Sequence, residues 1–175
     1  TISTDDLLFK NVKDGDSIAI NGTCLTSVEH TDTTVDFELG NETLRKTAFN
    51  DLQENSTVNI EFPISLSDPL GGHFVQGHID GIGVVSNIKQ DGETKILSIK
   101  LDESLLKYVI NKGSIAIDGV SLTIANLENN EISIMLMPYT LSKTNLDALK
   151  EGDKVNVEVD MLAKYISSLA QSYLK

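Results

Sequence analysis

The chain has 175 residues, of which 40% are hydrophobic and 23% are charged, and these proportions are ordinary for a globular protein. Acidic residues outnumber basic ones by 26 to 14, and the net charge of −12 argues against nucleic acid as a partner, because that binding rests on Lys and Arg neutralising phosphates. No apolar run approaches the roughly 18 residues of a membrane span, and the single Cys24 excludes an internal disulfide and a zinc site of several cysteines, so we expect a cytoplasmic protein without a membrane partner.

Along the chain, one unit occurs twice. SIAINGTCLT at 17–26 matches SIAIDGVSLT at 114–123 in seven of ten positions, 97 residues apart. Two more pairs lie at the same offset: TLRKT at 43–47 with TLSKT at 140–144, and TVNIE at 57–61 with KVNVE at 154–158. These matches predict a tandem duplication whose unit has the size of a small domain.

Within a unit, short β-branched segments bounded by Gly, Asp or Asn turns predict strands. In the second unit these are SIAI at 114–117, SLTIANL at 121–127, EISIML at 131–136 and KVNVEV at 154–159. Short helices are predicted at DESLLKYVI, 102–110, and TLSKTNLDAL, 140–149. Strands at about ten-residue spacing favour a closed barrel or a sandwich, and we predict an all-β fold of two similar barrels.

The barrels are expected to cover residues 1–64 and 65–160, with a join near PISLSDP at 63–69, where two prolines break both patterns. The first unit lacks a counterpart for residues 73–97, roughly one hairpin, and we expect about 25 further residues ahead of Thr1 in the natural chain. Residues 161–175 predict a helix with apolar side chains at helical spacing: Met161, Leu162, Tyr165, Ile166, Leu169 and Tyr173. This helix either covers its own barrel or assembles subunits, and the compactness of two barrels favours assembly.

Polar residues that differ between the two units are candidates for chemistry. Cys24 corresponds to Ser121, and Asn21 corresponds to Asp118. Strand alternation puts residues 24 and 26 on one face, and residues 121 and 123 likewise, so each pair can point two polar side chains into one pocket. The alternative is that Cys24 is a small buried hydrophobe and Ser121 a turn hydroxyl.

Two of the three histidines lie in GGHFVQGHIDG at 71–81. His73 and His78 are five residues apart, so in a strand they would point to opposite faces, and no third ligand stands nearby at metal-site spacing. We therefore expect no bound metal. The alternatives are a structural bend and an acid–base role, which suits an imidazole near neutral pH.

The segments GGHFVQGHIDG, NGTCLT, IDGVSLT, TLRKT and TLSKT together resemble riboflavin synthases of the trimeric, two-barrel kind, and the similarity runs through nearly the whole chain. The resemblance implies six-stranded Greek-key barrels, of which the first lacks its opening strands here. The family opens with a strand beginning Met-Phe-Thr-Gly, which is missing from this sequence, so the aromatic residue of that strand cannot be carried over.

The reaction implied by the resemblance is a dismutation. Two molecules of 6,7-dimethyl-8-ribityllumazine exchange a four-carbon fragment and give riboflavin and 5-amino-6-ribitylamino-pyrimidinedione, with no metal or redox cofactor. A base must remove a proton from the C7 methyl group, and a nucleophile must add to the partner ring. Two unequal pockets in a duplicated barrel suit two identical substrates with different roles.

By position, the resemblance places His78, Asp118, Ser121 and Cys24 in the pockets. Our hypothesis is that His78 and Ser121 handle protons, that Asp118 orients them and that Cys24 activates the acceptor. The implied substrate-binding residues of the first pocket are Ser17, Thr26, Gly40 and Thr43. Asp118, Ser121, Thr123, Met137 and Thr140 are implied to form the second, with Asp160 beside the ribityl chain and His73 as a support for the bend. Ile79 and Lys112 are further expected substrate-binding residues. A homotrimer held by the C-terminal helix is implied as well. The alternative function is a non-catalytic optical protein of the same fold that binds lumazine or flavin.

Overall fold

The fold is mostly antiparallel β structure, and the computed structural model describes residues 1–173, without the side chains of residues 172 and 173. The predicted apolar contribution of Tyr173 therefore lies outside the described side chains. The first repeat contains β1 Ile2–Ser3, β2 Ser17–Ile20, β3 Thr23–His30, β4 Thr34–Phe37, helix α1 Asn41–Lys46, a 3₁₀ turn Ala48–Asp51 and β5 Ile60–Glu61. The second contains β6 Gly81–Asp91, β7 Thr94–Lys100, helix α2 Glu103–Leu106, β8 Ser114–Ile117, β9 Val120–Glu128, β10 Glu131–Leu136, helix α3 Pro138–Lys143, a 3₁₀ turn Asn145–Ala148 and β11 Lys154–Val159, and helix α4 Met161–Tyr173 follows.

The second repeat is a closed six-stranded barrel in the order β10-β7-β6-β11-β8-β9. Its strands alternate apolar side chains toward the interior, where the branched residues of all six strands form one buried core. Val155, Val157 and Val159 of β11, for example, are fully buried there. The predicted closed barrel is thereby confirmed for this repeat.

The first repeat forms an open five-stranded sheet in the order β1-β4-β3-β2-β5. Its edge strands β1 and β5 lie 97 residues before parts of β7 and β11, which are the two strands that β6 joins in the closed barrel. The described residues of the first repeat contain no counterpart of β6, and β1 and β5 are the edges of the sheet. A smaller core around Phe9, Ile18 and Val35 packs against its inner face.

Three of the four predicted strands of the second repeat agree with the structure residue by residue, and the fourth is longer by one residue at each end. The prediction of one helix over 140–149 is wrong, because the segment divides at Thr144 into α3 and a 3₁₀ turn. Thr144 has an extended backbone, and its hydroxyl accepts a hydrogen bond from the Leu146 N–H. In the first repeat, Thr47 separates α1 from the following 3₁₀ turn in the same way, because its hydroxyl accepts a hydrogen bond from the Phe49 N–H.

The junction between the repeats has approximate twofold symmetry. The Asn59 N–H donates to Asn21 Oδ1 at 2.7 Å, and 97 residues later the Asn156 N–H donates to Asp118 Oδ1 at 2.8 Å. Each asparagine also crosses the junction: Asn59 Nδ2 donates to the Asp118 carbonyl and Asn156 Nδ2 to the Asn21 carbonyl. Paired hydrogen bonds therefore fix the two repeats against each other.

Helix α4 follows the last barrel strand directly. Lys164 Nζ lies 3.0 Å from both carboxylate oxygens of Asp80, and Asp80 Oδ2 also accepts the Val159 N–H. This carboxylate thus links the start of the barrel, its last strand and the helix. None of the helices within residues 1–173 has the length and apolar character that crossing a membrane requires.

Candidate active site

A cavity with a volume of about 1000 Å³ lies where the two repeats meet. Its wall takes β2 and β3 from the first repeat, the β8–β9 turn from the second, and the segment between the repeats. Five of the residues predicted for the site line this cavity: Ser17, Cys24, His73, Asp118 and Ser121. The candidate catalytic side chains of both repeats therefore share one space.

His73 and Ser121 form the central contact of this cavity. His73 Nδ1 lies 2.7 Å from Ser121 Oγ, although the two residues are 48 positions apart. The neighbouring Gly72 has a φ of +75°, and a Cβ there would approach Ser121 Cβ to 2.8 Å, so only glycine lets the loop come this close. Ser121 is therefore bound to an imidazole and is more than a turn hydroxyl.

The second ring nitrogen of His73 is buried. His73 Nε2 has no hydrogen-bond partner among the described residues, although it is shielded from solvent. A neutral imidazole carries its proton on one nitrogen and accepts on the other. With Nδ1 accepting from Ser121, His73 can take up the hydroxyl proton, and the buried Nε2 carries the proton of the neutral ring.

Cys24 contributes an exposed thiol to the same cavity wall. In β3, Thr23 and Leu25 are buried while Cys24 and Thr26 are exposed, which confirms that residues 24 and 26 share a face. The alternative that Cys24 is a buried hydrophobe is wrong, because the thiol lies on the outer face of the sheet. Its backbone N–H donates to the Gly77 carbonyl at 2.9 Å and so pairs β3 with the loop that carries the histidines.

Asp118 lies in the tight turn between β8 and β9, with a φ of +46°, and is only 3% exposed. Burial raises the pKa of its carboxyl from the ordinary 3.8 to about 6, although hydrogen bonds from the Asn156 N–H and the Asn145 side chain oppose this rise. The carboxylate thus bonds to groups of the junction. No hydrogen bond joins it to Ser121 or His73 among the described residues, so its contacts do not support the predicted orienting role.

The remaining predicted residues lie outside this cavity: Thr26, Gly40, Thr43, His78, Ile79, Lys112, Thr123, Met137, Thr140 and Asp160. Six of them lie at equivalent, at least partly exposed positions of the two repeats, here called the shelves: Thr26, Gly40 and Thr43 in the first repeat, and Thr123, Met137 and Thr140 in the second. Thr26 is the register partner of Ser17, and Gly40 caps α1 after the neighbouring strand β4. In the second repeat, Thr123 pairs with Ser114, and Met137 caps α3 in the same manner.

His78 and Asp160 form no hydrogen bond with Ser121 among the described residues. His78 is exposed and forms no hydrogen bond among the described residues, so the structure brings His73 rather than His78 to Ser121. Asp160 caps helix α4 by accepting the Leu162 N–H. No group of three or more His, Cys, Asp or Glu side chains within the described part of the chain is arranged to hold a metal ion.

Sequence reasoning missed Glu158, whose carboxylate is buried beneath the histidine loop. The signal for it was available, because a glutamate inside the apolar strand KVNVEV must find hydrogen-bond donors if it is buried.

The fold and the shared cavity define a two-repeat protein, and the family whose description is "Lumazine binding domain" matches residues 1–63 and 76–160. The riboflavin synthase of Bacillus subtilis (strain 168) is 40% identical over 91% of this chain and 74% of that relative. The riboflavin synthase of Photobacterium phosphoreum is 39% identical over 97% of this chain and 78% of that relative. The chain belongs to the riboflavin synthase family of transferases and is an enzyme.

The fold is similar to that of a solved protein, LumP, complexed with 6,7-dimethyl-8-(1'-D-ribityl) lumazine. The TM-score is 0.80 at 27% identity, and the match covers 90% of this chain and 84% of LumP. The resemblance seen in the sequence motifs and the two-repeat fold that it implied are both confirmed.

Proposed function

We propose that the protein catalyses the dismutation of 6,7-dimethyl-8-ribityllumazine. Two lumazine molecules exchange a four-carbon fragment, and the products are riboflavin and 5-amino-6-ribitylamino-pyrimidinedione. One substrate molecule oxidises the other, so the chemistry asks the protein for binding, orientation and proton transfer. Membership of the riboflavin synthase family supports this assignment.

The hydrogen bond between His73 Nδ1 and Ser121 Oγ, at 2.7 Å in the cavity that also exposes Cys24, carries the proposal. In this function, the His73–Ser121 pair takes the proton from the C7 methyl group of one lumazine. Cys24 lies across the same space and adds to, or polarises, the ring of the other. His78, exposed one residue beyond Gly77, is then a contact for the substrate.

Two equivalent shelves give each repeat a place for one lumazine. Hydroxyl groups lie at equivalent positions of the two repeats. In the first repeat they belong to Ser17 and its register partner Thr26, and in the second to Ser114 and its register partner Thr123. Holding both rings in a fixed orientation replaces a bimolecular encounter, an effect that is worth about 7–11 kcal/mol at its best. The residues that differ, Cys24 and Ser121, then distinguish acceptor from donor.

The proposal includes a homotrimer in the cytoplasm. Helix α4 supports this assembly because Leu162, Tyr165 and Ile166 are each more than half exposed, a costly arrangement for large apolar side chains on an isolated subunit. The reducing cytoplasm suits the exposed thiol of Cys24.

The test is to incubate the protein with the lumazine alone and to follow riboflavin by its fluorescence. One riboflavin should form for each two lumazines consumed, and the pyrimidinedione should appear in equal amount. Tight lumazine binding without any riboflavin would contradict the proposal. That outcome would favour the second candidate, a non-catalytic optical protein, which the similarity to lumazine-bound LumP brings into consideration.

A further inference from the structure

Glu158 is a buried carboxylate that takes no part in the proton transfer proposed for His73 and Ser121. It lies in β11, is 1% exposed and forms no ion pair with a Lys or Arg among the described residues. Burying a charge is costly unless hydrogen bonds satisfy it. The side chain must therefore serve a contact that offsets this cost.

The contact is with the backbone of the histidine loop. The Gln76 N–H donates to Glu158 Oε1 at 2.8 Å, and the Gly77 N–H donates to Oε2 at 2.9 Å. Each carboxylate oxygen thus accepts a hydrogen bond from one backbone amide. Two charge-assisted bonds of this kind fix the position and the orientation of the loop on β11.

The same peptide reaches the first repeat. The Gly77 carbonyl accepts the Cys24 N–H at 2.9 Å, and Gly77 has a φ of +79°. A Cβ at this glycine would come within 2.6 Å of Cys24 N, so the two backbones touch. Four residues before Gly77, His73 meets Ser121. One carboxylate therefore anchors the peptide that connects Cys24 with the His73–Ser121 pair.

The equivalent glutamate of the first repeat, Glu61, has different surroundings. Glu61 lies 97 residues before Glu158 and pairs with Ala19, as Glu158 pairs with Ala116. The side chain of Glu61 is exposed and forms no hydrogen bond or ion pair among the described residues. Among the described residues, the two backbone amides of the histidine loop bond to Glu158, and no segment bonds to the Glu61 side chain.

We propose that Glu158 is a positioning residue that seats the 73–78 loop and thereby sets the distance between Cys24 and the His73–Ser121 pair. The inference rests on the proposed function for its catalytic consequence. Its structural part, the seating of the loop, can be measured without any turnover.

The experiment compares Glu158→Gln with the full-length wild-type protein. The amide group keeps the size of the side chain but turns an N–H toward one of the two loop amides, so one bond is lost. We expect amide hydrogen exchange at Gln76 and Gly77 to become at least about tenfold faster, and the ring nitrogen signals of His73 to shift in ¹⁵N NMR. We expect kcat to fall by about 10- to 100-fold, with a change in KM of less than about threefold.

Glu131→Gln is the matched control, because Glu131 also accepts a hydrogen bond in the barrel, from the Ser86 hydroxyl, but on strand β10. It should leave exchange at residues 76 and 77, and kcat, unchanged. If Glu158→Gln does not fold, Glu158→Asp, which keeps the charge but shortens the side chain, is measured by the same criteria.

Unchanged exchange and unchanged His73 signals in the Glu158 variant would overturn the inference, and so would altered exchange with a normal kcat. A wild-type protein that makes no riboflavin would instead contradict the proposed function, while the exchange and NMR measurements would still decide whether Glu158 seats the loop.

Discussion

Gly22 and Gly119 lie back to back across the junction of the two repeats. A Cβ built on Gly22 would lie 2.7 Å from Gly119 Cα, and one built on Gly119 would lie 2.8 Å from Gly22 Cα. Both glycines have left-handed backbones, with φ of +73° and +85°, at the second position of equivalent hairpin turns. The junction thus depends on two turns whose backbones touch without side chains between them.

Gly119→Ala should destabilise the protein by at least about 2 kcal/mol, because it combines a strained backbone with a clash against backbone atoms that cannot rotate away. Denaturant unfolding measures this cost. Gly152→Ala is the control, since Gly152 has a similar φ of +94° but nothing within 4 Å of a Cβ. Equal losses for the two variants would mean that the close approach of the turns contributes nothing.

Asp118 makes the stability of the junction depend on pH. Its folded pKa of about 6 lies above the ordinary 3.8, so the folded state favours the protonated form. The stabilising contribution is therefore complete below pH 3.8 and is lost as the pH rises through 6. A shift of this size corresponds to about 3 kcal/mol.

Asp118→Asn cannot ionise and should not lose this contribution. The free energy of unfolding of the wild type, relative to the variant, should fall by up to about 3 kcal/mol between pH 4 and 7 and then stay level. Asp102→Asn offers a contrast of opposite sign, because hydrogen bonds from Ser104 lower the pKa of Asp102. A flat difference between wild type and Asp118→Asn would show that residue 118 does not titrate in this range.

Local patterns in the sequence predicted the strands, because alternation within EISIML or KVNVEV needs no knowledge of distant residues. The repeat offset of 97 residues identified Ser121 as the counterpart of Cys24, because two segments can be compared without knowledge of the fold. The sequence could not predict that the Asp118 carboxylate points into the junction, since its hydrogen-bond donors Asn145 and Asn156 lie far along the chain. The choice between His73 and His78 likewise depends on long-range contacts, above all the two loop amides held by Glu158.

Removal of residues 161–175 should yield smaller species than the full-length protein in sedimentation, because α4 supplies the large exposed apolar side chains Leu162, Tyr165 and Ile166. Lys164→Met tests the orientation of the helix separately, since it removes the ion pair with Asp80 but no apolar side chain. We expect that variant to assemble with reduced affinity. An unchanged oligomer after the deletion would rule out the role of α4 in assembly.

The last prediction concerns the two histidines. His73→Gln removes the imidazole that lies 2.7 Å from Ser121 Oγ, and His78→Gln removes an exposed imidazole without a hydrogen bond among the described residues. If the His73–Ser121 pair transfers the proton, His73→Gln and Ser121→Ala should each lower kcat by about 10²–10⁴, the range of general acid–base catalysis, while lumazine affinity falls far less. Because the two groups act as one unit, the double variant should be scarcely slower than either single one.

His78→Gln should mainly raise KM, and Cys24→Ser should lower kcat if the thiol adds to the acceptor ring. Steady-state riboflavin formation and equilibrium titration of the lumazine measure both quantities for each variant. A large loss of kcat in His78→Gln together with a normal His73→Gln would reverse the assignment and make His78 the proton carrier.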